Sequence, residues 1–240
     1  MISAIRDKRT ALSESSLYAG AYLVYLLTNG LVYADTRVVG LDNGVKIVSL
    51  QKNLGFLWEP GWQSWAVENV RVLVVMMNWV YLITYWPVIL LAAVVLFNKK
   101  RRDYNFYRTV VFVDLAGALL TFMVFPVASP FAIPGVALLD TIQEFGPRFY
   151  GSEDMDPFYN ISAAMPSLHF SWTVILAVLF WNTLSGWSRL LGLLYPVVTF
   201  FAIVLTGNHF ILDAVAGGAL AALAFSVVWL LRLTVWPVHA

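Results

Sequence analysis

The sequence predicts an all-α, polytopic membrane protein: a six-transmembrane-helix bundle with an amphipathic interfacial helix in its first outer loop. Three observations lead there. Apolar residues make up 60% of the 240-residue chain and charged residues only 12%, too little polar surface to coat a soluble core. The apolar residues fall in blocks of about 17–25, the length that crosses a ~30 Å hydrocarbon layer. No period-2 alternation is sustained, which removes the sheet and barrel alternatives.

The elements follow in order, within a single integral membrane domain over residues 1–240 that shows no internal repeat. Residues 1–16 are polar, lack the pattern of a signal peptide and are expected to form a cytoplasmic segment. Membrane helices are expected at 17–34, 70–97, 108–127, 168–184, 190–206 and 210–232; the second is long and contains Pro87, which predicts a tilt or kink. Arg6, Lys8, Arg9, Lys99, Lys100, Arg101, Arg102, Arg108, Arg189 and Arg232 flank one side of these helices. The other side holds only Arg37, Lys46, Lys52, Arg71 and Arg148. The positive-inside rule places the richer side, with both termini, in the cytoplasm, and an even number of spans agrees. A bacterial cell membrane is the expected location.

In the first outer loop, 36–69, Ile47, Leu50, Leu54 and Leu57 recur at helical spacing opposite Lys46, Ser49, Lys52 and Asn53. Trp58, Trp62 and Trp65 follow, so the segment reads as an interfacial helix anchored by tryptophans, a structural collar. The second outer loop, 128–166, combines Pro/Gly turns with the acidic run Glu153-Asp154-Met155-Asp156. Long irregular loops are where function gathers, and this one is the expected active-site loop. A net charge of +1 supplies no basic field for nucleic acid. The chain has no cysteine, which excludes disulfides, thiolate chemistry and cysteine-ligated metals.

Of three histidines, His239 lies next to the C-terminus and is expected to be incidental. His169 sits at the expected outer start of the fourth helix, in Met165-Pro166-Ser167-Leu168-His169. His209 sits on the same side, where Thr206-Gly207-Asn208-His209 joins the fifth helix to the sixth. Asp213 follows four residues later, one helical turn on, so its carboxylate can reach the His209 ring. An aspartate in a membrane helix is costly and calls for such a partner. These parts suggest phosphoryl transfer. A neutral His209 imidazole attacks phosphorus, Asp213 accepts the other ring proton, and His169 protonates the leaving oxygen. Ser167, Leu168 and Asn208 are candidate substrate-binding positions, because amides at the start of a helix point their donors at an anion. No metal or other cofactor is expected, since both histidines already have roles. A His–Asp pair alone reads equally well as interhelical glue, but two histidines at matching depth favour catalysis. Asp114, about two turns inside the cytoplasmic end of the third helix, reads as glue. Asn78, Tyr81 and Tyr85 read as interhelical hydrogen bonding rather than a pocket lining.

Pro166-Ser167-Leu168-His169 and His209-x-x-x-Asp213 resemble the second and third motifs of the type 2 phosphatidic acid phosphatase superfamily, over about residues 40–225. The wording is closest to its inositol phosphorylceramide synthase-like branch. The resemblance implies His209 as nucleophile, Asp213 as its orienting carboxylate and His169 as proton donor. Three positions depart from the pattern. Leu168 replaces a glycine, Ile203 stands where the third motif has arginine, and Phe131 stands where that branch would carry another. Arg148 is the foremost replacement for the missing cations, with a surface ion pair to Glu144 as its equal alternative. Lys46, Lys52 and Arg71 come behind it. The expected activity is that of a membrane lipid-phosphate phosphatase or phosphotransferase, with water or an alcohol as acceptor. A prenyl-diphosphate lyase or cyclase, its cation shielded by some of the 16 Phe, 11 Tyr and 10 Trp, is one alternative. A non-catalytic lipid-binding membrane protein is another. The expected partners are a lipid phosphate or prenyl (di)phosphate substrate and membrane lipids.

Overall fold

The computed structural model describes residues 2–147 and 161–235, and among these the chain is helical, with a single isolated β-bridge between Val127 and Ala163. The α-helices are α1 (Ile2–Asn53), α2 (Glu59–Asn69), α3 (Arg71–Ile83), α4 (Tyr85–Lys99), α5 (Arg101–Val124), α6 (Thr141–Phe145), α7 (Leu168–Thr183), α8 (Ser188–Leu205) and α9 (Ile211–Val235). Among the described residues three helices, over 101–124, 188–205 and 211–231, are long and apolar enough to cross a membrane. A fourth crossing is added if α2 and α3, bent by 118° across Val70, form one broken span. These lengths make the chain an integral membrane protein.

Two expected elements are drawn differently. The first span and the interfacial helix are one helix, because α1 runs on to Asn53, about 78 Å at ~1.5 Å per residue. No proline interrupts it, and Gly40 and Gly44 serve close packing instead of a turn. Leu50 and Leu54, half of the expected apolar stripe, are exposed, whereas Gly40, Asn43, Gly44, Ile47, Val48 and Gln51 are buried. A Cβ on Gly40 would lie 3.0 Å from Ser162 Oγ, and one on Gly44 would run into the Ile133 side chain. Without them the segments around 126–133 and 161–162 lie flat on α1. Asn43 Nδ2 donates to Pro126 O at 2.9 Å and Ala128 N to Gly40 O at 2.9 Å.

The expected span 70–97 is divided at Thr84 into α3 and α4. Pro87 has no N–H, and its ring crowds the carbonyl four residues back, on Ile83, which is where α3 ends. The ladder resumes at once, with Val88 N donating to Thr84 O at 3.2 Å.

The main core lies where α5, α7 and α9 meet, around Val110, Ala118, Phe122, Trp172, Ile175 and Ala221. Small residues let these backbones approach, as membrane helices require. At one end of the bundle Glu14 accepts from Arg108 at 2.5 Å and from Tyr104 Oη at 2.8 Å, tying α1 to α5. The histidines lie at the other end, where α5 and α8 finish and α7 and α9 begin.

Candidate functional site

Two helix starts build the site. Ser167 caps α7, its fully buried Oγ accepting from Phe170 N at 3.4 Å. The Ser167 amide in turn donates to the carbonyl of Asp213 at 3.0 Å, so the cap of α7 is bonded to the first turn of α9. The preceding Met165–Pro166 bond is cis. His169 then falls in the first turn of α7. Leu168, where the family pattern has glycine, turns its side chain to the α5–α7–α9 core, so the replacement puts no bulk between the histidines.

The second start follows the end of α8. Gly207 has φ +76°, and a Cβ there would overlap the carbonyl of Leu139, so only glycine fits this left-handed turn. His209 N donates to Ile203 O at 3.1 Å, which holds the reversal closed. Asp213 is the third residue of α9, and its Oδ2 reaches back to accept from Phe210 N at 2.8 Å, one half of a capping box.

His209 Nδ1 lies 2.8 Å from Ala164 O and 3.5 Å from Asp213 Oδ2. A carbonyl can only accept, so Nδ1 carries a hydrogen. In the neutral ring Nε2 is then the free lone pair. The nearer orienting group is thus a backbone carbonyl of the second loop, with Asp213 behind it. The His169 and His209 ring centroids are 5.9 Å apart. Tyr81 stacks on His169 at 4.1 Å with 20° between planes, and Tyr85 meets its edge at 4.2 Å. These tyrosines line the site, contrary to the expectation that they serve only as interhelical hydrogen bonders. His209 is 5% exposed, Asn208 1% and Asp213 fully buried, whereas His169 is partly exposed.

Ser167, Leu168, His169, Asn208, His209 and Asp213 are therefore brought together. Arg148 and the acidic run 153–156 lie outside the described residues, as does His239. The other candidate cations are exposed: Lys46 donates to Asn43 Oδ1 at 2.9 Å, Arg71 lies 5.1 Å over the Phe145 ring, and Lys52 faces outward from the end of α1. Ile203, at the arginine position of the third motif, is fully buried in an apolar cluster with Val204 and Ala214. Phe131 is held through its backbone, its N–H donating to Gly207 O at 3.2 Å. No group of three or more His, Asp or Glu that could hold a metal ion occurs among the described residues.

Several supporting residues escaped the sequence reading. Glu59 Oε1 accepts from Gln51 Nε2 at 2.6 Å and from Ile211 N at 2.8 Å, while Gln51 Oε1 accepts from Leu212 N at 3.3 Å. Gln63 bonds both the N–H and the carbonyl of Leu139, at 2.7 and 2.9 Å, and the carbonyl of Leu205 at 3.0 Å. Asn78, by contrast, bonds between helices as expected: it exchanges two hydrogen bonds of 2.7 Å with Thr141, pinning α6 to α3. Thus α2 turns its polar Glu59 and Gln63 inward and leaves Trp58 and Trp65 exposed, the reverse of a soluble amphipathic helix. The available signal was an acid set between Trp58 and Pro60-Gly61-Trp62, which calls for a partner as Asp213 does. Asp114 is interhelical, as expected, but it is not remote. It accepts from Ser171 Oγ, and the Ser171 amide bonds the cap carbonyl of Ser167.

A family model described as the PAP2 superfamily matches residues 45–227, a span that contains every residue assembled above. Comparison with curated proteins and with solved structures gives no match.

Proposed function

The chain belongs to the PAP2 superfamily, and from that premise we propose a membrane lipid-phosphate phosphatase or phosphotransferase that works through a phosphohistidine on His209. Membership indicates phosphatase-type chemistry; the inositol phosphorylceramide synthase-like branch is the part of the superfamily we assign. The observation that carries the reading is the His209 ring, held through Nδ1 so that Nε2 carries the lone pair, beside a second histidine 5.9 Å away.

In the first step Nε2 attacks phosphorus, the bond from phosphorus to the leaving oxygen breaks, and His169 gives that oxygen its proton. In the second, water or an alcohol attacks the phosphohistidine and passes a proton to His169, which frees His209. Nucleophile and proton carrier are both histidines, so the scheme requires no metal. The amides of Leu168 and His169, at the first positions of α7, are the donors we assign to the phosphoryl oxygens. Arg148 is the cation we assign to them. The lipid tail is assigned to an apolar groove of about 300 Å³ between α2, α3 and α8, lined by Trp62, Trp65, Leu73 and Phe201. Trp62 also packs in one cluster with Tyr81, the ring stacked on His169, which connects groove to site.

We further propose six crossings, made by residues 17–34 of α1, by α3 with α4, and by α5, α7, α8 and α9, with both termini cytoplasmic. The histidines then face outward. Supporting this, Lys99, Lys100, Arg101, Arg102 and Arg189 sit at helix ends opposite to the site.

The test uses purified protein in detergent with a chelator, a panel of lipid phosphates and a prenyl diphosphate, and reads phosphate and pyrophosphate release beside His209→Ala. Phosphate release and an acid-labile phosphoenzyme, both lost in H209A, are expected. Pyrophosphate release without phosphoenzyme would instead establish the lyase or cyclase reading. No product at all would overturn both.

A further inference from the structure

A carboxyl buried among apolar groups is costly unless it is bonded. Glu59 is fully buried, between Leu57-Trp58 and Pro60-Gly61-Trp62. It opens α2, yet its carboxyl is used elsewhere. Through Oε1 it receives the side-chain amide of Gln51, from the last turn of α1, and the backbone N–H of Ile211, from the first turn of α9. Helices α1, α2 and α9 thus meet on one oxygen. The amide of Leu212 goes to Gln51 Oε1, so Glu59 and Gln51 together serve consecutive amides of α9. The first residues of a helix have no intrahelical acceptor for these donors, and Asp213 serves only Phe210 N. Ile211 lies two residues after His209 and two before Asp213, so the clamp grips the middle of the reactive pair.

Resting on the phosphoryl-transfer reading, we infer that Glu59 is a positioning residue for the reaction, fixing the first turn of α9 and hence the attack geometry of His209. Its hydrogen bonds go to Gln51 and to the α9 backbone, and it acts through that backbone. Misplacing a reacting group by about 1 Å costs about 100-fold in rate. The groove assigned to the lipid tail is lined from α2, α3 and α8 and by no residue of α9, so tail binding should change less than the rate.

The experiment compares full-length wild type with Glu59→Ala and Glu59→Gln, reading kcat and KM for His209-dependent phosphate release and hydrogen exchange at Ile211 and Leu212. E59A should lose about 100-fold in kcat with a much smaller change in KM and exchange both amides faster. E59Q keeps an oxygen acceptor of the same reach, and should recover most of the rate and the protection. Faster exchange in E59A with unchanged kcat would overturn the inference, leaving a clamp of structural use only. So would a loss in E59Q as deep as in E59A while its amides stay protected. Should E59A fail to fold, E59Q alone decides on the same two readings. An inactive wild type is a different outcome: it refutes the phosphoryl-transfer reading, and this inference with it.

Discussion

Gly217 offers the most direct test of how the two helix starts are held together. It lies one turn beyond Asp213 on α9 and faces the cap of α7. A Cβ placed there would sit 2.5 Å from the carbonyl oxygen of Ser167 and 3.4 Å from the amide of Ser171. Both neighbours are backbone, so neither can swing aside. A carbon and a carbonyl oxygen approach to about 3.3 Å at their closest comfortable contact, so Gly217→Ala must part α7 from α9 by close to 1 Å. The hydrogen bond from Ser167 N to Asp213 O, 3.0 Å long, spans this same gap and would stretch with it. Overpacking of this kind costs about 1–3 kcal/mol of stability. The functional cost is larger in proportion, because His169 rides on α7 and His209 is fixed to α9. A displacement of ~1 Å between them should lower kcat about 100-fold. Gly218→Ala is the matched control: its Cβ would meet only Phe170 Cε1, at an ordinary 3.5 Å. Replacing that helical glycine should be neutral or stabilising by up to about 1 kcal/mol. The assay is phosphate release at saturating substrate, with the thermal midpoint in detergent measured on the same samples. Equal activity and equal midpoints in G217A and G218A would refute the close approach of α7 to α9.

Asp213→Asn should cost only about 10–100-fold in kcat, because the Ala164 carbonyl still holds the His209 tautomer and the amide oxygen can still cap Phe210. A loss near ~10⁴-fold, as when an aspartate alone sets the tautomer, would show that Asp213 is the decisive partner. Gly207→Ala forces a side chain into a left-handed turn and against Leu139, and should lower stability by about 2–4 kcal/mol, read as a drop in the thermal midpoint. An unchanged midpoint would contradict the turn. Asn78→Ala strands the carbonyl and hydroxyl of Thr141 in a buried place and should cost about 1–3 kcal/mol, with faster exchange in α6. Unaltered exchange there would mean that α6 is held by other contacts.

What could be read from residues alone was the chemistry carried by side chains at short spacing. His209 and Asp213 stand one turn apart, and His169 follows a proline and a serine cap; each is a local pattern, and each is conspicuous because polar groups are scarce in an apolar chain. The frame around them was hidden for an equally physical reason. Ala164, Leu139, Leu205, Ile211 and Leu212 hold the site through main-chain N–H and carbonyl groups, which every residue possesses and no residue type announces. The continuation of α1 was hidden because the stripe of Ile47, Leu50, Leu54 and Leu57 reads as a separate amphipathic helix lying in the interface. In a membrane, leucines can face lipid while glycines and amides face protein, as Leu50 and Leu54 do opposite Gly44 and Gln51.

The cost that singled out Asp213 applies with the same force to Gln51, Glu59, Gln63 and Asn78, all at most 2% exposed in a chain where burial is mostly apolar. Each of them proves to bond a backbone group from a distant segment, and three of the four grip the ends of α8 or α9. The rule that follows is stricter than a search for ionisable pairs. In an apolar helical chain every uncharged amide, as much as every acid, should be asked which open helix end it closes. Asked of Glu59, that question leads from an aromatic-rich connection near residue 60 straight to the turn that carries His209.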